Sequence, residues 1–170
     1  ELENIRAAMT WSPRPETAET AARFAASMEE YFRRRGLWAE RLSRLESAVR
    51  LASQHLRHSH ITAWLFFHLG LALKDLRRCE EAEAAAREGL TQARRHHDTR
   101  LETRCLNLLG VVAGTRKDWE ESSRWHQQTL DLAERHGDDF MVASALIGLG
   151  RLCAEQGDIE RAARYYESSI

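Results

Sequence analysis

Apolar residues recur at helical spacing along almost the whole chain, and they predict an all-α protein. Between Glu1 and Trp11, the residues Leu2, Ile5, Ala8 and Met9 share one face of a short helix. Ser12-Pro13-Arg14-Pro15 ends it, since a proline removes a backbone donor and crowds the preceding turn. A second helix is predicted over 16–35 and closed by Gly36, and a third over 37–55 carries Trp38, Leu42, Leu45, Ala48 and Val49. Beyond residue 58 the pattern becomes periodic, with helix pairs predicted over 59–95, 99–136 and 139–170. The expected total is nine helices and no strand.

The period is forty residues. Phe66-x-x-Leu69-Gly70, Leu106-x-x-Leu109-Gly110 and Leu146-x-x-Leu149-Gly150 are each followed by a small residue, at Ala82, Ser122 and Ala162. The leucines belong to the buried stripe of a first helix. A glycine inside a helix costs roughly 1 kcal/mol relative to alanine, so three at one period imply that close helix packing offsets the cost. Gly110 is expected at such a crossing. Turns repeat as well, with Glu80-Glu81, Glu120-Glu121 and Glu160 at the start of each second helix, where the helix dipole favours negative charge. Arg95-His96-x-Asp98 and Arg135-His136-x-Asp138 repeat at the far end. Aligning Gly36 with Gly157 makes 16–55 a degenerate first repeat, with Glu29 in place of the packing glycine.

This spacing of large, Leu-Gly and small positions resembles the tetratricopeptide repeat. The resemblance implies one solenoid over 1–170, built as a right-handed superhelix of antiparallel helix pairs. The opening is more specific. Leu2-Glu3-Asn4-Ile5-Arg6-Ala7-Ala8-Met9-x-Trp11 resembles the N-L-R-A-A-L-x-W helix of bacterial signal-transduction ATPase regulators of the LuxR-like and Streptomyces-antibiotic-regulatory types. The likeness continues through Tyr31-Phe32-x-x-Arg35-Gly36 and Glu40-x-x-x-x-Leu45-Glu46, with Arg41 and Arg44 where that family usually has glycine and tryptophan. It implies the C-terminal sensor or scaffold arm of a larger switch protein. The absence of an initial methionine, and an end at Ile170, are read the same way, as an expectation that the chain is a piece of something longer.

Composition narrows the functional classes. Net charge is −1 with 30% charged residues, which argues against a dedicated nucleic-acid or membrane-surface module. No apolar run reaches the ~18–20 residues that span a bilayer. Three cysteines without a CxxC fit a reduced, cytoplasmic setting, and Cys153 falls on a repeat core position. Twenty-three arginines against two lysines fit a GC-rich bacterial genome.

Candidate chemistry is sparse. Gly148-x-Gly150 lies inside a predicted helix, so no phosphate-binding loop is expected. His55-x-x-His58-x-His60, with His96 or His97, lacks a carboxylate or thiol at ligand spacing and reads as an inter-repeat turn. No catalytic residues, metal or cofactor are expected. The register instead points to a concave groove lined by first helices. Its inward positions are Arg23, Ala26, Glu30, Arg33 and Arg34, then Trp64, Phe67, Leu71, Lys74 and Asp75. Arg104, Asn107, Val111, Gly114 and Thr115 follow, then Ser144, Ile147, Arg151 and Glu155. An asparagine amide can pair with both N–H and C=O of an extended peptide. Trp64 and Phe67 read equally as packing between helices, and Trp125 as an outer-face contact residue. The expected partner is therefore a protein or peptide segment, another domain of a parent chain included. Self-association through the open C-terminal end, at Tyr166 and Ile170, is also expected. The alternative reading is a small-molecule or metal sensor.

Overall fold

The computed structural model describes residues 18–56 and 59–170. Among them are nine α-helices and no strand: α1 (Ala18–Ser27), α2 (Glu29–Arg34), α3 (Trp38–His55), α4 (His60–Asp75), α5 (Cys79–Arg95), α6 (Thr99–Thr115), α7 (Trp119–His136), α8 (Asp139–Glu155) and α9 (Ile159–Glu167). The helix expected over 1–11, and the motif it carries, lie outside the described residues. The helix expected over 16–35 is split at Met28, yet Met28 keeps a helical backbone and both flanking i,i+4 hydrogen bonds. No helix of the described residues is long and apolar enough to cross a membrane.

From α3 onward consecutive helices pack as antiparallel neighbours, with α1 against α3, and the first helices α4, α6 and α8 also lie against one another in turn. The second helices of adjacent pairs make no comparable contact. Close approach on one side and separation on the other gives a curved stack with the first helices inside. Its core is continuous through Leu45, Leu65, Leu73, Leu101, Leu106, Leu109 and Val112, and a smaller group around Leu146 and Leu149 closes the C-terminal end.

Six turns use one device. Residues 36, 77, 97, 117, 137 and 157 all adopt a left-handed backbone (φ between 54° and 84°), although three of them are Arg77, His97 and Lys117. The residue after each donates its N–H back to the carbonyl five residues earlier, as in Asp118 N to Ala113 O at 3.0 Å. Asp98, Asp118, Asp138 and Asp158 then cap the next helix, each accepting the N–H three residues on at 3.0–3.1 Å. Cap and turn thus recur every twenty residues, twice per repeat, and the Glu pairs reinforce the caps from inside the first turn.

The packing glycines behave as their spacing demands. A Cβ on Gly70 would lie 3.3 Å from the Ala82 carbonyl oxygen, and one on Gly110 would lie 2.8 Å from the His126 ring. Ser122 donates its hydroxyl to the Gly110 carbonyl at 2.7 Å, so the small residue of that pair also satisfies a buried acceptor. The degenerate first repeat solves the same crossing with charge. Glu29 stands where Gly70 stands and Arg41 where Ala82 stands, and the two form a buried ion pair at 2.7 Å. Arg41, 2% exposed, also reaches Asp75 of α4 at 2.7 Å. Burial pushes the Glu29 carboxyl up, but the nearby His68 ring and the hydrogen bonds from Arg41 outweigh it and hold it below its ordinary value.

Ile170 differs from its register mates: Leu90 and Leu130 are buried, whereas Ile170 is fully exposed.

Candidate functional site: the concave face

The inner face is built by α4, α6 and α8, whose helical spacing turns every third or fourth residue toward the groove. From α4, Trp64 is half-buried and meets Phe67 edge to face at 6.0 Å between centroids. From α6, the Arg104 guanidinium lies over the Trp64 ring, 5.9 Å from its centroid. Asn107 and Val111 follow at successive turns of α6, both half-buried. From α8, Ile147 is 50% exposed, an apolar residue open to water on the inner side. Arg151 reaches across to α6, its Nη2 3.6 Å from where a Cβ of Gly114 would be. A Cβ at Gly114 would touch the arginine only at ordinary contact distance; its tight neighbour is the Ser122 hydroxyl, at 3.1 Å.

Two polar atoms in this strip lack partners. Arg104 Nε and Asn107 Oδ1 are both buried and make no hydrogen bond. One is a donor and the other an acceptor, three residues apart on the same face of α6. Buried polar groups are hydrogen-bonded in the great majority of cases, so each such pair calls for an explanation.

Other expected groove residues are placed differently. Phe67 is 7% exposed and belongs to the core, because the neighbouring helices close over its ring. Leu71 packs against that core from a half-buried position. Lys74 pairs with Asp75 at 2.5 Å, which joins the Arg41 network. Arg23 and Arg33 are exposed and turned to carboxylates of their own helices, Glu19 at 2.8 Å and Glu30 at 2.7 Å. Trp125 is partly buried against the core and covered by the Arg87 guanidinium, 5.3 Å from its ring centroid. The assembled strip is thus Trp64, Arg104, Asn107, Val111, Ile147 and Arg151.

Among the described residues, no group of three or more His, Cys, Asp or Glu side chains is placed to hold a metal ion. His60 instead pairs with the helix-capping Asp98. The three cysteines are free thiols; burial pushes that of Cys105 up to about 12, with the Asp98 charge adding to it.

The buried ion network of Glu29, Arg41 and Asp75 was not anticipated, nor was the buried His126. Shifting the Gly70/Ala82 pair back by one repeat lands on Glu29 and Arg41, so the register held the signal for the first.

Residues 102–170 match the tetratricopeptide repeat family. Solved structures that share the fold include these three. One is BtubC from P. vanneervenii (TM-score 0.79, 20% identity, 96% of this chain covered). Another is aspartyl phosphate phosphatase F from Bacillus subtilis (TM-score 0.77, 16% identity, 93% covered). The third is a Rap protein complexed with competence and sporulation factor (TM-score 0.79, 16% identity, 90% covered). The chain spans 66%, 40% and 42% of those three proteins, respectively. No curated protein matches the chain in sequence.

Proposed function

We propose that the chain is a peptide- or protein-binding scaffold whose concave face holds an extended segment. The observation that carries this reading is the unpartnered pair of Arg104 Nε and Asn107 Oδ1, buried on α6 between the half-buried Trp64 and the exposed Ile147. A strand of peptide would offer an acceptor to the first and a donor to the second, while Trp64, Val111 and Ile147 take its side chains. Arg151 would favour an acidic segment. The fold neighbour solved with competence and sporulation factor supports a ligand on such a stack.

The opening motif, Leu2 to Trp11, supports a place in the regulatory arm of a bacterial signalling or transcription-regulating ATPase, acting in the cytoplasm without direct nucleic-acid contact. The groove partner is then a protein segment, another domain of the same parent included. Exposed Ile159, Tyr166 and Ile170 at the C-terminal end support self-association or capping there. Light scattering checks this, and a monomer at all concentrations counts against it.

A peptide selected on the wild-type protein from a random-sequence library tests the groove. Asn107→Ala should weaken that peptide roughly ten- to hundredfold, since truncating one partner of a buried hydrogen bond costs ~1–3 kcal/mol. The melting temperature should stay nearly unchanged. Equal affinity for both proteins removes the groove.

A further inference from the structure

Away from the concave strip, two successive layers of the stack differ in how their outer surface is closed. Between the second and third helix pairs, four charged side chains close the surface. Arg87 donates to Glu83 at 2.8 Å and to Glu121 at 2.9 Å, while Arg116 meets Glu83 at 2.6 Å and Glu121 at 3.0 Å. Two acids and two bases thus neutralise one another and fill the gap, with Trp125 beneath Arg87. One repeat further along, the same four positions read Ser123, Gln127, Gln156 and Arg161. Both glutamates are gone, both arginines have become glutamines, and a cation stands where Glu121 stood.

These four positions do not bridge the layer: Gln127 donates to Asp131 of its own helix at 2.8 Å, and Arg161 turns to Tyr165 and Asp158 of its own element. A cleft of about 880 Å³ opens between α7 and α9, with Ser123, Gln156 and Arg161 in its wall. That volume lies in the range of small-molecule sites. The lining includes the buried Leu149 and Leu152 and, packed against their cluster, the partly buried Trp119 and Tyr165. Lys117, Arg124 and Arg161 give the rim three cations. Against them stand Glu120 and Asp118, and Asp118 already accepts the Glu121 N–H as a helix cap. Arg161 is 61% exposed in its side chain, makes a long contact of 3.8 Å to Asp158 and hydrogen-bonds Tyr165, so no full countercharge holds it closely. None of the groove strip residues lines this cleft.

We propose that this cleft is a binding site for a small amphipathic organic anion, with an aromatic or aliphatic body and one carboxylate. The body would lie on Leu149 and Leu152 between Trp119 and Tyr165. The carboxylate would restore, at Arg161, the negative charge that Glu121 supplies in the preceding layer. Ser123 and Gln156 offer neutral hydrogen bonds to the remaining oxygens.

Naphthalene-2-carboxylate serves as the probe, with its neutral carboxamide as control and calorimetry as the readout. The carboxylate should bind with a submillimolar Kd, and the carboxamide at least tenfold more weakly. Arg161→Gln should abolish that preference, and Trp119→Ala should weaken both compounds. Asn107→Ala and Arg151→Glu, in the groove, should change neither, so failure here and failure of the groove reading are separate results. A fourfold variant, Ser123→Glu, Gln127→Arg, Gln156→Arg and Arg161→Glu, rebuilds the preceding layer's network. It should keep the wild-type melting temperature or raise it while losing the carboxylate. No binding by wild type at millimolar probe, equal binding of acid and amide, or unaltered binding by the fourfold variant would each overturn the proposal.

Discussion

The imidazole of His126 fills, beside Gly110, the space that the Leu108 side chain fills one layer earlier beside Gly70. Leu108 Cδ2 would lie 3.0 Å from a Cβ on Gly70, and the His126 ring 2.8 Å from one on Gly110. Each layer holds one large group, delivered from a different helix. Where α5 presents the small Ala86, α6 supplies Leu108; where α7 presents His126, α8 supplies only Gly148. A Cβ on Gly148 would come within 2.5 Å of the His126 ring. The two positions should therefore be coupled. Gly148→Leu alone is expected to overpack the layer and cost ~1–3 kcal/mol or more, and His126→Ala alone to leave a cavity of similar cost. The double variant copies the preceding layer and should recover most of both losses. Denaturant titration of the four proteins checks this, and strictly additive losses would refute the exchange.

His126 also makes stability depend on pH. Its ring is fully buried with neither nitrogen hydrogen-bonded, and burial first, then the Arg151 charge, lowers its pKa to about 4 from an ordinary 6.5. Between those values the unfolded chain binds a proton that the folded one refuses, so stability falls as pH drops from about 6.5 to 4. The loss from this one group should reach ~3 kcal/mol and level off below pH 4. His126→Phe should remove that component and match or exceed wild-type stability at pH 7, because no unpaired ring nitrogen remains buried. Tyr166 already places an aromatic ring against Gly150 at the equivalent position. Urea unfolding at pH 7, 5.5 and 4 measures the difference; parallel curves for the two proteins would contradict it.

What the sequence made legible follows from what a period can carry. Repeated letters marked the backbone crossings, so Gly70, Gly110 and the turns were readable from spacing alone. Layers where the letters change were not, because their meaning lies in pairs of positions from different helices. Glu29 stood out as a departure from the repeat and Arg41 as a departure from the regulator-family motif, but only the fold brings the two together with Asp75. The groove was partly readable for the same reason. Helical spacing put Trp64, Arg104, Asn107 and Arg151 on one face, yet it could not show that Phe67 lies under its neighbours or that Arg23 and Arg33 fold back onto their own helices.

The six left-handed turn residues allow a test of backbone strain. A non-glycine residue pays roughly 1–2 kcal/mol in that region, offset in part by the lower chain entropy of its unfolded state. Arg77→Gly, at φ 62°, should therefore be neutral or stabilising by up to ~1 kcal/mol, despite losing the arginine. Gly137→Ala, at φ 65°, should destabilise by about 1 kcal/mol, although a Cβ there would touch nothing within 4 Å. Thermal melts of both variants read the contrast, and a stabilised Gly137→Ala would show that the turn relaxes to another conformation.

The first repeat holds its crossing by charge, and this makes it the least tolerant to single changes. Arg41 is buried and donates to Glu29 and Asp75, tying α2 and α3 to the end of α4. Glu29→Gln would leave a buried guanidinium short of a countercharge, and breaking such a pair from one side costs about 3–5 kcal/mol. Arg41→Ala strands Glu29 in the same way, and a similar loss is expected. Glu29→Gly with Arg41→Ala restores the Gly70/Ala82 arrangement of the later repeats. It should be far more stable than either single variant, because small–small packing carries no desolvation penalty. Acid should weaken the wild type here as well. The Glu29 carboxyl is held below its ordinary value when folded, so its contribution is present at neutral pH and lost as pH falls through the folded pKa. The double variant should lack that loss. Hydrogen exchange over residues 29–55 is the direct measurement. Protection there should collapse in Glu29→Gln and return in the double variant, and equal protection in all three would mean that the ion pair does not hold the first repeat to the stack.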